Sequence, residues 1–127
     1  MKVKLKKALL GVMAFSFVFS MNAFAASSSF NANYYTAGGA GAVSGKTNGI
    51  FHYLDSGNAY LNTTYASHVC KCTLYKSGVG FDTSYGEVNT SGRQRFPKAV
   101  TASSNYYLVF DGGPAMTNIS VRGTLTN

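Results

Sequence analysis

From Phe30 to the end of the chain, clusters of Gly, Asn, Asp and Ser cut the sequence into short apolar runs. Their spacing, roughly 8–12 residues from one run to the next, is that of strands in a sandwich or barrel. The residues between the turns agree. Tyr, Val, Thr, Ser, Asn and Gly dominate, while the straight-chain residues that favour helices are scarce. Candidate strands run from Phe30 to Tyr35, Ile50 to Leu54, Ala59 to Tyr65, His68 to Lys76 and Val79 to Tyr85. A weaker one spans Gln94 to Val100, where Pro97 favours an edge or a bulge. Tyr106 to Phe110 is apolar on both faces, as in a central strand. From Ile119 to Thr126, Ile119, Val121, Gly123 and Leu125 alternate with polar residues, the period-2 signature of a strand with one wet face. The expected fold is all-β: one antiparallel β-sandwich of seven or eight strands.

The first 25 residues read differently. Lys2, Lys4, Lys6 and Lys7 precede an apolar stretch from Ala8 to Phe19 broken only by Ser16, and Ala23-Phe24-Ala25 follows. A basic start, a short apolar segment and an A-x-A ending are the three parts of a secretory signal. The apolar run is shorter than the roughly 20 residues that span a bilayer, so a cleaved signal at residues 1–25 is expected rather than a stable membrane anchor. Residues 26–127 then form the secreted domain. Its lysine-rich signal suggests a bacterial, extracellular protein. The residue directly after the cleavage site is Ala26 rather than cysteine, which argues against a lipid anchor.

Export also changes the charge. The whole chain carries 11 Lys and Arg against 4 Asp and Glu, a net +7; losing four lysines leaves +3. Arg93, Arg95 and Lys98 make the one local basic cluster, thinner than a nucleic-acid-binding face requires. Ser27 to Asn31 reads as a flexible lead-in and the Gly-Ala stretch from Gly38 to Gly45 as a flexible connector. No helix pattern follows that stretch, as a phosphate loop requires.

Cys70-Lys71-Cys72 is the most unusual local feature. An oxidising compartment favours a disulfide. Yet strand residues i and i+2 lie about 6.5–7 Å apart, whereas a disulfide needs Cβ atoms at ~3.5–4.5 Å. Three arrangements remain: a strained local bridge or redox pair, two core thiols, or pairing with another chain. His68 extends the pattern to His-x-Cys-x-Cys, a row of soft ligands that a straight strand cannot wrap around an ion. No metal or other cofactor is expected. Neither His52 nor His68 belongs to a recognisable nucleophile–base grouping, and Asp55 and Asp111 sit in Gly-rich turns. No catalytic residues are assigned.

Tyrosine supplies the softer functional signal. Tyr34-Tyr35 and Tyr106-Tyr107 each place one ring on either face of a strand, so about half of these four rings should point outward. Outward tyrosines suit contact with sugars or protein partners.

The order from Thr73 onward carries a family likeness. Leu74-Tyr75-Lys76, a polar turn, Arg95-Phe96, Val100, then Asn105-Tyr106-Tyr107-Leu108-Val109-Phe110 with a Gly-Gly loop resembles the small β-sandwich domains of the pre-peptidase C-terminal type found on secreted bacterial proteases. The resemblance covers about the last 55 residues. It implies a jelly-roll-like sandwich with a binding or stabilising role. The expected function is non-catalytic binding to a cell-envelope polysaccharide or other envelope polymer, or to another secreted protein. A secreted antimicrobial or toxin-like protein is the alternative, favoured by small size and positive charge.

Overall fold

The structure, a computed structural model, describes residues 26–36, 43–44 and 50–127. The expected signal and most of the Gly-rich connector therefore lie outside the described residues. Within them the secondary structure is strand throughout: β1 (Ser27–Tyr35), β2 (Val43–Ser44), β3 (His52–Leu54), β4 (Tyr60–Ala66), β5 (Lys71–Lys76), β6 (Thr83–Asn89), β7 (Arg93–Arg95), β8 (Ser103–Asp111) and β9 (Asn118–Thr126).

Two antiparallel sheets form. One has the order β1-β9-β4-β7; the other has β2-β8-β5-β6, with β3 also paired to β8. Val43 and Ser44 oppose Phe110 and Val109, while His52 and Leu54 oppose Tyr106 and Ser103. Thus β2 and β3 occupy successive parts of one edge of β8 and act as a single broken strand. Counted that way, each sheet is four strands wide. The pairs β1·β9, β2/β3·β8, β4·β7 and β5·β6 nest inside one another, first strand with last and so inward. A long hairpin rolled up in this manner, then joined laterally by β4·β9 and β5·β8, is a jelly roll.

Alternation decides which side chains enter the space between the sheets. Phe30, Ala32 and Tyr34 on β1, Leu61 on β4, and Ile119, Val121 and Leu125 on β9 face Cys72 and Leu74 on β5, and Tyr106, Leu108 and Phe110 on β8. The Phe30 and Phe110 rings meet across the gap with centroids 5.3 Å apart. Truncating a fully buried Leu61 or Leu74 removes a side chain whose loss typically costs about 2–5 kcal/mol. Tyr106 is fully buried, and its hydroxyl donates to the Thr101 carbonyl at 2.7 Å while accepting from the Thr101 N–H at 3.0 Å. That satisfies the one polar atom such a ring brings into a core.

Several boundaries differ from the sequence expectation. The lead-in is strand: Ser27, Ser28 and Ser29 pair with Thr126, Leu125 and Thr124, because β9 keeps its alternation to the end and offers a partner edge. The Gly-Ala connector contains β2. The fifth strand begins at Thr83, not Val79, since Gly78 N–H bonds the Asp82 carboxylate at 3.2 Å and closes a turn. It runs on past Tyr85 to Asn89 with a bulge, Thr73 opposing Glu87 and Tyr75 opposing Ser84, with Gly86 at φ +102°. The strand expected from Gln94 shrinks to β7. Pro97 follows it, and Val100, a core residue, pairs through an isolated bridge to Gly57.

Gly123 shows how tightly β1, β9 and β4 approach. A Cβ there would lie 1.9 Å from the Asn62 carbonyl oxygen and 2.9 Å from the tip of Phe30. We expect Gly123→Ala to lower the unfolding free energy by ~3 kcal/mol, the upper end for overpacking, because backbone must move. Urea denaturation of the two proteins measures this.

Candidate binding surface

The two outer faces are chemically unlike. On the first sheet, the outward residues of β1, β9 and β4 form a polar net: Ser120 Oγ donates to Asn33 at 2.8 Å, and the Asn62 amide reaches Thr126 Oγ1 at 2.9 Å. Arg122 lies over the Tyr65 ring at 4.6 Å, and Arg93 over Tyr60 at 4.2 Å.

On the second sheet, Phe51, Tyr107 and Tyr75 form an aromatic row. Register produces it: Tyr75 opposes Tyr107 across β5·β8, and Phe51 immediately precedes His52, which opposes Tyr106. The Tyr75 and Tyr107 rings stack at 5.5 Å and 16°, and Phe51 meets Tyr107 edge-on at 6.1 Å and 85°. Tyr107 is nearly covered by its neighbours, whereas Phe51 stays 43% exposed. Tyr53 turns outward on β3 because His52 and Leu54 turn in.

Asp82 brings a loop to the same face. Tyr107 Oη donates to an Asp82 carboxylate oxygen, and the other oxygen receives the Gly78 N–H. The loop so anchored carries Val79, fully exposed, and Phe81, 80% exposed. Exposed apolar side chains thus border a pair of stacked rings, and the Tyr53 hydroxyl donates to Asp55 at 2.7 Å. That bond raises the Tyr53 pKa. Burial first, and the Asp82 bond second, push the Tyr107 phenol up to about 12.

The four tyrosines singled out from the sequence divide two and two. Tyr34 and Tyr106 are core residues and leave the candidate surface, since inward positions of β1 and β8 fall on them. Tyr34 Oη donates to the Gly112 carbonyl at 3.0 Å, tying β1 to the loop before β9. Tyr35 is exposed, on the polar sheet, and Tyr107 is the centre of the aromatic row. Phe51, Tyr53, Tyr75 and Phe81 were not identified from the sequence. For Tyr53 and Tyr75 the signal was an outward aromatic residue beside an inward one; Phe51 and Phe81 lie just outside the strands.

Cys70 and Cys72 are both buried and both free. Cys70 N–H donates to Thr90 Oγ1 at 2.9 Å, and Thr90 N–H returns to the Cys70 carbonyl at 2.9 Å. Burial raises the Cys72 thiol well above its ordinary pKa, which keeps it protonated and unreactive. His68 does not join them. β5 starts at Lys71, so His68 lies ahead of the strand, exposed and 3.3 Å from Ser67 Oγ. Among the described residues, no three metal-capable side chains come together.

His52 sits between the sheets, 4% exposed, with Nδ1 2.7 Å from Ser28 Oγ. Burial lowers its pKa. No known protein family, curated protein or solved structure matches the chain.

Two pH effects follow from opposite shifts. Neutral His52 is favoured in the fold, so its contribution is full above the unfolded value of about 6.5 and is lost as pH falls through the lower folded value. The urea midpoint of the natural protein should drop between pH 7 and pH 5 more than that of His52→Gln, which retains a hydrogen-bonding side chain. Tyr107 behaves in reverse. Its raised value makes its contribution full below about pH 10 and lost on passing about 12. Tyr107→Phe should cost about 1 kcal/mol at neutral pH and flatten the alkaline fall in stability, read by denaturant titrations from pH 9 to 12.

Proposed function

We propose that this is a small secreted, non-catalytic protein that works by surface contact with a cell-envelope polymer or a protein partner, using the outer face of its second sheet. The observation that carries the reading is the convergence of Phe51, Tyr53, Val79 and Phe81 around the stacked Tyr75–Tyr107 pair. Exposed apolar groups gathered on one face of a small domain mark a contact site more often than a random scatter does. The opposite face, hydrogen-bonded to itself, has no comparable driving force for association. Rigidity adds to the case. A stacked ring pair and a loop held by Asp82 lose little conformational freedom on binding.

Export is supported by the lysine-rich start, the short apolar run and Ala23-Phe24-Ala25. The make-up of the exposed area also bears on the target. Tyr107 is covered, so the exposed area comes from Phe51, Tyr53, Val79 and Phe81, which suits an apolar protein or polymer surface.

Protein recovered from culture medium should be retained on at least one of three matrices: peptidoglycan, whole cell walls or extracellular polymer with its attached proteins. The double variant Phe51→Ala/Phe81→Ser should lose retention by about tenfold or more, as expected for the removal of central apolar anchors. Equal retention of variant and natural protein would exclude this face, and retention on none of the matrices would exclude an envelope target.

A further inference from the structure

Charge is divided between the two sheets. From residue 26 onward the chain has four lysines, three arginines and four acidic residues. None of the acids, Asp55, Asp82, Glu87 and Asp111, lies on β1, β4, β7 or β9, whereas all three arginines do. Lysines and acids match in number, so the surplus positive charge of this region equals the arginines of the first sheet.

Register gathers those arginines on the outer face. Leu61 points into the core, so Tyr60 and Asn62 turn outward, and opposite them on β7 stand Arg95 and Arg93. On the other side of β4, Arg122 lies between buried Val121 and Gly123 and stands opposite Tyr65; its neighbour on β1 is Asn31. The three arginines therefore follow one another along β4 from Tyr60 to Tyr65, over roughly 15 Å at the rise of a strand. All three are exposed. Arg93 lies over the Tyr60 ring and Arg122 over the Tyr65 ring. A guanidinium placed over a ring keeps its N–H edges for a bidentate acceptor. The Asn, Ser and Thr side chains around them pair with one another, but none of the arginines forms an ion pair or side-chain hydrogen bond among the described residues.

Cations without a counter-charge select an anion, and a row of this length suits a polymer better than a small ion. Nucleic acid fits poorly. The Tyr60 and Tyr65 rings are already covered by guanidinium groups, so bases cannot stack on them, and three cations are thinner than a nucleic-acid face requires. Beside the arginines, Ser29, Asn31, Ser120 and Thr124 offer hydroxyl and amide groups, the partners that sugar hydroxyls take, rather than apolar anchors for a protein. We propose that the outer face of the first sheet binds a linear acidic polysaccharide whose sugars carry carboxylates, with Arg95, Arg93 and Arg122 meeting carboxylates along the polymer. The attraction is electrostatic and long-range, unlike the apolar contact offered by the second sheet. The two sites are on opposite faces, and neither reading depends on the other.

Binding of the protein to immobilised polygalacturonate at low salt tests the assignment. It should be saturable and should weaken by at least about tenfold in ~1 M salt, where charges act over only ~3 Å. The fully methyl-esterified polymer, which keeps the sugars and loses the charge, should not bind, and oligo-dT should bind about tenfold more weakly. Arg93→Gln/Arg122→Gln should lower polygalacturonate affinity by about tenfold or more, the loss of charge-assisted hydrogen bonds. Lys71→Gln, which removes a cation from the second sheet, should leave it unchanged. In ¹⁵N-correlated NMR of the natural protein, polygalacturonate fragments should shift the amides of Asn31, Asn62 and Arg122 and spare those of Lys71 and Tyr75. No saturable binding, or equal binding of the esterified polymer, would overturn the proposal. Oligo-dT binding as tightly as polygalacturonate would do the same, as would an equal loss from Lys71→Gln or amide shifts confined to the second sheet. Because the NMR measurement uses the natural protein, failure of the double variant to fold leaves the test intact.

Discussion

β8 is hydrogen-bonded along both edges and covered on both faces, and the remaining strands are arranged by that fact. β5 pairs with one edge, and β2 and β3 share the other. Tyr106, Leu108 and Phe110 fill the space between the sheets, while Tyr107 is roofed on the outer side by Tyr75 and Phe51. A strand with one buried face already has its register specified, because a one-residue slip turns that face to solvent. β8 has apolar partners on both sides, so a shift of one residue would misplace two sets of contacts. This double constraint fixes β5 and β3, and through them the position of every aromatic residue on the outer face.

The same strand was the most legible part of the sequence. Tyr106 to Phe110 is apolar at every position, which only a covered central strand tolerates, and Ile119 to Thr126 alternates without error. Turn clusters located most of the remaining boundaries. What local pattern did not reveal was whatever depends on a partner. Ser27 to Ser29 carry no strand signal of their own and become strand because β9 supplies an edge. Val79 and Phe81 look like the inward residues of a strand, but the Asp82 turn leaves them outside. Tyr34-Tyr35 and Tyr106-Tyr107 announce that one ring of each pair turns outward; which one follows from register, a property of two strands. The aromatic row was invisible for the same reason, being assembled from three segments far apart in the chain. The cysteines were partly legible. Alternation put both on one inward face, whereas His68 fell away once the strand began at Lys71.

The contrast between the outer faces gives the molecule a direction. One side is a ladder of Asn, Ser and Thr that satisfies itself, and the other gathers rings, with the Tyr53 and Tyr107 hydroxyls bonded to carboxylates. Neither face interferes with the core, because both sets of side chains occupy positions the pleat turns away from it. Surface chemistry in this fold can therefore change without repacking the interior, as the burial of Tyr106 beside the outward placement of Tyr107 shows on adjacent residues.

The nesting of the pairs has a consequence for how the molecule comes into being. β1 and β4 are not neighbours; β9 lies between them and bonds to both. Until Asn118 to Thr126 are available, the first sheet has no middle, and Phe30, Ala32 and Leu61 have no common surface to bury against. Contacts of such long sequence separation slow the search for the native state. The chain consequently cannot assemble in the order in which it is made. It waits for its final strand, and completes its fold in a single late step that joins one end of the domain to the other.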